Sequence, residues 1–276
     1  MPHAGVGLRT PAPFVREFRA LMLTVDLGNS RLKACRWKRR GGDFECVSRL
    51  EGETDDRSNS LLERWLATAE RSVAALSSVA PAERTERIRA QLEAHSTRLF
   101  VAPDSGLENR CREPERVGTD RLYAAAGAVA LLRRSCVVVD AGTALTVNAV
   151  EVSDGGAAFL GGAIAPGPRL LAAALVEGTA RLPRVEPRAG ARALGTVTEE
   201  AIQSGVLVGF RGAAERLVEE IAAEASLGSA PVVLTGGARE FLLVPRPFTT
   251  RRLEVVPDLV HRGLLAALLR VAEAQP

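Results

Sequence analysis

Val25-Asp26-Leu27-Gly28-Asn29-Ser30 near the start of the chain returns as Val139-Asp140-Ala141-Gly142-Thr143-Ala144 past its middle. Each copy follows an apolar, strand-like run and leads into another. An Asp ending a buried strand, followed by a Gly-bearing turn with a small polar residue, makes a hairpin that can face phosphate. The Gly lets backbone N–H groups approach an anion, the amide or hydroxyl donates, and the Asp can hold a cation. Two copies, each opening its own half of the chain, predict a duplicated fold that clasps one nucleotide between its halves.

Composition narrows the class. The 276 residues suffice for two ordinary domains or one large one. The net charge of +3 is small, and Arg39-Arg40 and Arg133-Arg134 are isolated pairs, so no nucleic-acid surface is indicated. No apolar run reaches the ~20 residues needed to span a bilayer, so no membrane partner is expected. Residues 1–20 carry Pro11, Pro13, Arg16 and Arg19 without a long apolar core, and read as a disordered leader or a misassigned start, not a signal peptide. Cys35, Cys46, Cys111 and Cys136 show no metal-like spacing, which favours reduced thiols and a cytoplasmic location. Lys33 and Lys38 are the only lysines in an arginine-rich chain. Lys33 lies just beyond the first Asp-Gly turn, where a cation would suit phosphate; chance survival is the alternative.

Periodicity predicts strands at 21–26, 31–37 and 44–49, a helix at 59–70, a strand at 74–79, a helix at 83–95 and a strand at 98–101. A loop over 103–117 precedes a helix opened by Thr119 or Asp120 and running to 132. Strands at 137–139, 145–150 and 158–160 and a helix at 168–175 repeat the layout. A Pro/Arg-rich loop, a helix from 198 to 217 or beyond, strands at 232–234 and 253–255, and a closing helix at 258–272 complete it. The expected class is α/β: two ribonuclease H-like βββαβα domains, at 21–134 and 135–276, with an interdomain nucleotide cleft. That is the architecture of the actin and sugar-kinase superfamily.

Each motif also has a structural explanation. Asp26 to Lys33 would place Gly28, Asn29 and Ser30 on nucleotide phosphates and let Asp26 carry Mg²⁺ through water, or it is an ordinary hairpin. Asp140, with Gly142, Thr143 and Thr146, sits where an unpaired carboxylate is costly and a bound cation would relieve it, or it is a turn Asp. In Gly118-Thr119-Asp120-Arg121, Asp120 either caps a helix or accepts the proton of a substrate hydroxyl while Arg121 clamps a carboxylate or developing phosphate charge. A carboxylate suits a late proton transfer in a loose phosphoryl-transfer transition state. The Gly161 to Gly167 stretch reads as a strand-to-helix crossing. Thr198 either caps its helix or touches substrate, and Thr235-Gly236-Gly237 suits adenosine or phosphate.

Together these residues resemble the type III pantothenate kinases. The resemblance runs from about 21 to 269 and rests on an ordered set: Asp26 to Lys33, Gly118 to Arg121, Asp140 to Ala144, Leu160 to Gly167 and Thr198 to Gly205. It implies ATP-dependent phosphorylation of pantothenate to phosphopantothenate, opening coenzyme A synthesis, usually by a homodimer using Mg²⁺ and a monovalent cation (K⁺ or NH₄⁺). Carried over by motif, Asp120 is the proton acceptor. Asp26, Leu27, Gly28, Asn29, Ser30, Arg31, Leu32, Lys33 and Thr143 contact ATP. Gly118, Thr119, Asp120, Arg121 and Thr198 contact pantothenate, and Asp140 holds the monovalent cation.

Two positions depart from the pattern. Ser30 stands for the usual Thr and keeps the hydroxyl. Cys111 occupies the place of a Tyr that lies on the substrate, which predicts weaker pantothenate binding or a rearranged loop. Two other readings remain: a nucleotide-binding regulator of the transcription-accessory kind with little catalysis, and a kinase of the same fold for another small hydroxy acid.

Overall fold

A computed structural model describes residues 21–41, 43–243, 247–248 and 250–274. The expected leader at 1–20 lies outside them. The chain divides into two compact units, Met1–Pro103 with Leu264–Pro276, and Asp104–Gly263.

In the first unit, β1 (Leu21–Leu27), β2 (Arg31–Arg40) and β3 (Asp43–Glu53) form an antiparallel meander. Helix α1 (Asp56–Leu66), strand β4 (Ser72–Ser78), helix α2 (Ala82–His95) and strand β5 (Ser96–Val101) follow, giving the sheet order β3-β2-β1-β4-β5. β4 and β5 add in parallel, so β1 lies centrally and needs apolar residues on both faces. Leu23, Val25 and Leu27 pack with Leu62, Leu66, Ile88 and Leu92 of the helices. On the other parity Met22 is buried, and Thr24 accepts the Trp37 indole N–H at 2.8 Å. At the edge, β3 alternates half-buried and exposed residues, as a strand with one wet face should.

The α1 helix stops at Leu66, short of the predicted 70. Its final carbonyls are taken by a side chain from a distant strand: Arg36 donates to Trp65 O, and to Thr68 Oγ1 at 3.0 Å. Its guanidinium also lies 3.8 Å over the Trp65 ring. That cap comes from tertiary structure, so local pattern did not reveal it.

The second unit repeats the plan. After a short strand β6 (Glu108–Asn109) and helix α3 (Thr119–Leu132) come β7 (Cys136–Ala141), β8 (Ala144–Ser153) and β9 (Gly156–Pro166). Helices α4 (Pro168–Glu177) and α5 (Thr198–Glu224), strands β10 (Val232–Thr235) and β11 (Leu253–Val255), and helix α6 (Leu259–Ala274) complete the described chain. The sheet order is β11-β10-β7-β8-β9-β6. Apart from β6 this is the first sheet again, with β7, β8, β9, β10 and β11 in the places of β1 to β5 and the same parallel and antiparallel pairings.

The two faces of this sheet carry different helices. Val137, Val139, Leu145 and Val147 meet Ile202, Val206, Leu207, Phe210 and Val218 of α5. Each such side chain, fully buried, stabilises by about 1.5–3 kcal/mol. Helix α3 lies on the opposite face, as the bond from Arg121 to Asn148 shows. It therefore belongs to the second unit, where the sequence had been divided at 134/135. Helices α3 and α6 cross at glycines. A β-carbon on Gly127 would collide with Leu259 O, and one on Gly263 with the Tyr123 carbonyl.

Two further differences concern loops. The 103–117 segment contains β6, which pairs in parallel with β9. Gly161 to Pro166 continues β9, so only Gly167 makes the crossing into α4. Gly161, at φ 111, sits where the ladder with β8 slips by one residue, a bulge that favours glycine. Among the described residues no helix is long and apolar enough to cross a membrane.

Candidate functional site

In the first unit, the β1–β2 ladder sets Asp26 opposite Lys33, and the parallel pairing sets it beside Ser77. The turn Gly28-Asn29-Ser30 is closed by Gly28 N–H to Arg31 O at 2.9 Å. It is braced from the end of β3, where Thr54 N–H reaches Ser30 O at 3.0 Å and Thr54 Oγ1 reaches Gly28 O at 3.2 Å. Asn29 and Ser30 are exposed and present polar groups to any ligand. Leu27 and Leu32 are 1% and 0% exposed and pack in the core, so only their main chain can serve nucleotide. Arg31 forms an ion pair with Glu51.

In the second unit, Asp140 has Thr146 opposite it and Thr235 beside it. The turn is one residue shorter than its counterpart. Gly142 N–H reaches Ala144 O at 2.9 Å, and Gly167 N–H reaches Thr143 O at 3.0 Å. Thr143 is exposed. Gly236, at φ 95, passes so close to Asp140 that a β-carbon would strike Asp140 Oδ1. The Thr-Gly-Gly stretch thus leaves room around that carboxylate.

At the start of α3, Gly118 occupies the cap position without a side-chain bond, and Asp120 lies in the first turn. Its Oδ1 accepts the Arg121 N–H at 2.8 Å, a donor that also reaches Gly118 O at 3.1 Å, and Asp120 does not stand at the usual cap position. Burial pushes the Asp120 carboxyl above the ordinary range, opposed by that N–H and by the charge of Arg121. An elevated carboxyl is the better proton acceptor of its kind.

Arg121 is held by residues the sequence reading passed over. Its Nε–H and Nη2–H donate to Asn148 Oδ1 at 2.9 and 2.6 Å. Asn148 is fully buried, and its amide N–H reaches Thr146 Oγ1 at 3.2 Å. The Phe159 ring lies 5.3 Å from the guanidinium carbon. The available signal was Thr146 and Asn148 standing two apart within the otherwise apolar stretch 144–150, which puts both on one face.

Cys111 sits on the loop that this unit ties to its sheet edge. Arg110 pairs with Glu108 and Glu151 and its N–H reaches Phe159 O at 3.0 Å, while Cys111 N–H reaches Asn109 Oδ1 at 3.1 Å. A β-carbon on Gly161 would lie 3.6 Å from Cys111 Sγ. Burial lowers the Arg121 guanidinium from its ordinary value, opposed in part by the neighbouring Cys111 and Asp120. The structure thus gathers Cys111, Gly118, Thr119, Asp120 and Arg121 about the α3 face.

Thr198 is placed elsewhere. It opens α5, which packs on the other face, and Val197 rather than Thr198 occupies the cap position. No side chain caps the helix; instead the Glu200 carboxylate in its first turn reaches back and accepts the Thr196 N–H and hydroxyl at 2.8 and 2.9 Å.

The same five-strand sheet order used twice, with an Asp–Gly hairpin at the head of each copy, is the duplicated actin-like fold of the kind sugar kinases have. A solved protein of Sinorhizobium meliloti, named as a candidate 2-dehydro-3-deoxygalactonokinase, superposes with a TM-score of 0.52 at 16% identity, covering 91% of this chain and 99% of that one. Within that fold the chain belongs to the type III pantothenate kinase family, whose profile matches residues 22–220.

Among curated type III pantothenate kinases, that of Thermus thermophilus is 39% identical over 196 residues, 70% of this chain and 75% of the relative. That of Dehalococcoides mccartyi is 41% identical over 162 residues, 58% of each. That of Rubrobacter xylanophilus is 41% identical over 167 residues, 58% of this chain and 61% of the relative. The matched region thus spans less than two thirds of the length of the last two.

Proposed function

We propose that the chain transfers the γ-phosphoryl group of ATP to the primary hydroxyl of pantothenate. The observation that carries the reading is Asp120, an elevated carboxyl at the head of a helix beside a tethered arginine, in a chain of this family. Asp120 accepts the hydroxyl proton as the bond to phosphorus forms. Arg121 orients the substrate, and Gly118, Thr119 and the Cys111 loop shape the pocket around it.

The Asp26 to Lys33 hairpin and Thr143 bind ATP. The exposed turn and the single lysine opposite Asp26 support this placement. Among the described residues no group of three or more His, Cys, Asp or Glu could hold a metal. A cation held by one carboxylate, phosphate oxygens and water fits Mg²⁺, and Asp26 would support it. Bound there, Mg²⁺ supplies neutralising charge to the phosphates. The oxygen donors around Asp140, with Thr146 and Thr235 as ladder neighbours, suit a hard monovalent cation, K⁺ or NH₄⁺. The reading includes a cytoplasmic homodimer. Thr198 lies on the sheet face away from Asp120, so a substrate contact by Thr198 suits a site shared between two copies.

ADP release with Mg·ATP, with and without pantothenate, in potassium and in sodium buffers, tests the proposal. Pantothenate-dependent, potassium-stimulated release is the expected result. ATP binding without pantothenate-dependent release would overturn it in favour of the regulator or of another hydroxy acid.

A further inference from the structure

We propose that Asn148 is a positioning residue for the reaction: it fixes the guanidinium of Arg121 so that the remaining donors meet the substrate's carboxylate. The inference rests on the reading of Arg121 as a substrate-orienting group and goes beyond it by assigning what orients Arg121.

Asn148 stands in the middle of β8 with no exposed surface. A buried carboxamide is costly unless its donors and acceptors are used. Here its oxygen takes two donors from one guanidinium and its nitrogen gives one to Thr146 Oγ1. The orientation of the amide follows, because an NH₂ turned toward the guanidinium would oppose donor to donor. Gly162 lies opposite in the β9 ladder, and a β-carbon there would come within 2.8 Å of Asn148 Cα, so the facing strand leaves this position its room.

The consequence for Arg121 is twofold. An arginine side chain is rich in rotamers, and the two bonds together with the Phe159 ring restrict it before any ligand arrives. The acceptor is also neutral. A carboxylate in its place would cancel the cation, whereas a carboxamide orients it and leaves its charge for an anion. With Nε and Nη2 engaged by Asn148, Nη1 is the nitrogen turned to substrate.

The experiment compares Asn148→Ala, Asn148→Asp, Arg121→Ala and the Asn148→Ala/Arg121→Ala pair in the full chain. In Asn148→Ala the KM for pantothenate should rise about tenfold or more, with a smaller change in kcat, since uniform binding is what is lost. Asn148→Asp, whose carboxylate would hold the guanidinium but neutralise it, should leave that KM raised. In the Arg121→Ala background, Asn148→Ala should add nothing. If Asn148→Ala does not fold, Asn148→Ser, whose hydroxyl is too short to bridge, takes its place.

A second arm needs no substrate. The Arg121 Nε–H resonance, assigned by its disappearance in Arg121→Lys, should exchange slowly in the wild type and quickly in Asn148→Ala. An unchanged KM, or a full multiplicative loss in the double variant, overturns the proposal. So does fast exchange of that proton in the wild type. If pantothenate gives no turnover while exchange behaves as expected, the substrate assignment falls and the positioning stands.

Discussion

Replacing Gly263 by Ala should damage stability and catalysis together, through the helix that carries Asp120. A β-carbon at Gly263 would lie 2.6 Å from Tyr123 C and 2.9 Å from Tyr123 Cα, where ordinary contact begins at 3.4 Å. The obstructing atoms are backbone, so no rotamer change relieves them, and α3 and α6 must part by roughly 1 Å. Overpacking of this kind costs about 1–3 kcal/mol, at the upper end when backbone must move. The alanine returns about 1 kcal/mol in helix preference, leaving about 2 kcal/mol lost. That corresponds to a fall in Tm of about 4–8 °C. Tyr123 lies three residues beyond Asp120 on α3, so the same shift displaces the proton acceptor, and a misplacement of about 1 Å can cost on the order of 10²-fold in rate. Thermal unfolding and steady-state kinetics on Gly263→Ala read both effects. Gly212→Ala on α5, with nothing within 4 Å of the added carbon, is the control and should be neutral or slightly stabilising. Unchanged Tm and kcat in Gly263→Ala would refute the reasoning.

Asp120→Asn keeps the oxygen that accepts the Arg121 N–H and removes a buried charge, so it should fold at least as stably at neutral pH while kcat falls about 10²–10⁴-fold; near-normal turnover would return Asp120 to a purely helix-capping role. Because burial raises the folded Asp120 carboxyl, the acid limb of kcat/KM should lie above the ordinary aspartate range, and a limb at or below that range would count against Asp120 as the base. Cys111→Tyr should lower the pantothenate KM about three- to tenfold by restoring aromatic contact, and an unchanged value would show that the loop does not use this position. The Arg251 guanidinium holds Glu219 below the ordinary glutamate range through bonds of 2.9 and 2.8 Å. A depressed carboxyl contributes stability that is present above its unfolded pKa and lost as pH falls through the folded one. Arg251→Ala should therefore lower Tm at neutral pH more than at acid pH, and an equal loss across pH would remove the ion pair as its cause.

What was legible in the chain was whatever the backbone period and turn chemistry declare locally. The Asp–Gly hairpins, the meanders that follow them and the long α5 despite Gly205, Gly209 and Gly212 were readable because each rests on contiguous residues. The misses share a different cause. Arg36 ends α1 from another strand, β6 exists only because β9 offers an edge, and α3 joins the second unit by packing that no local signal announces. At the candidate site, Asp120 and Arg121 stood out as a contiguous motif, whereas Asn148 lies 27 positions away from Arg121 and meets it only through the fold. Thr198 was grouped with the substrate residues by motif, and the sheet puts its helix on the other face.

The two halves match each other in their ladder hydrogen bonds more closely than in their letters. From Asp26 to its cross-strand partner Lys33 is seven positions, and from Asp140 to Thr146 only six, because the second turn is one residue shorter. A self-alignment of the sequence would slip at that point, while the ladders themselves do not. The same backbone slot therefore holds an ammonium in one copy and a hydroxyl in the other. Positions 33 and 146 are equivalent addresses in the two sheets, so exchanging their residues would rewrite the charge at each carboxylate without redesigning either sheet.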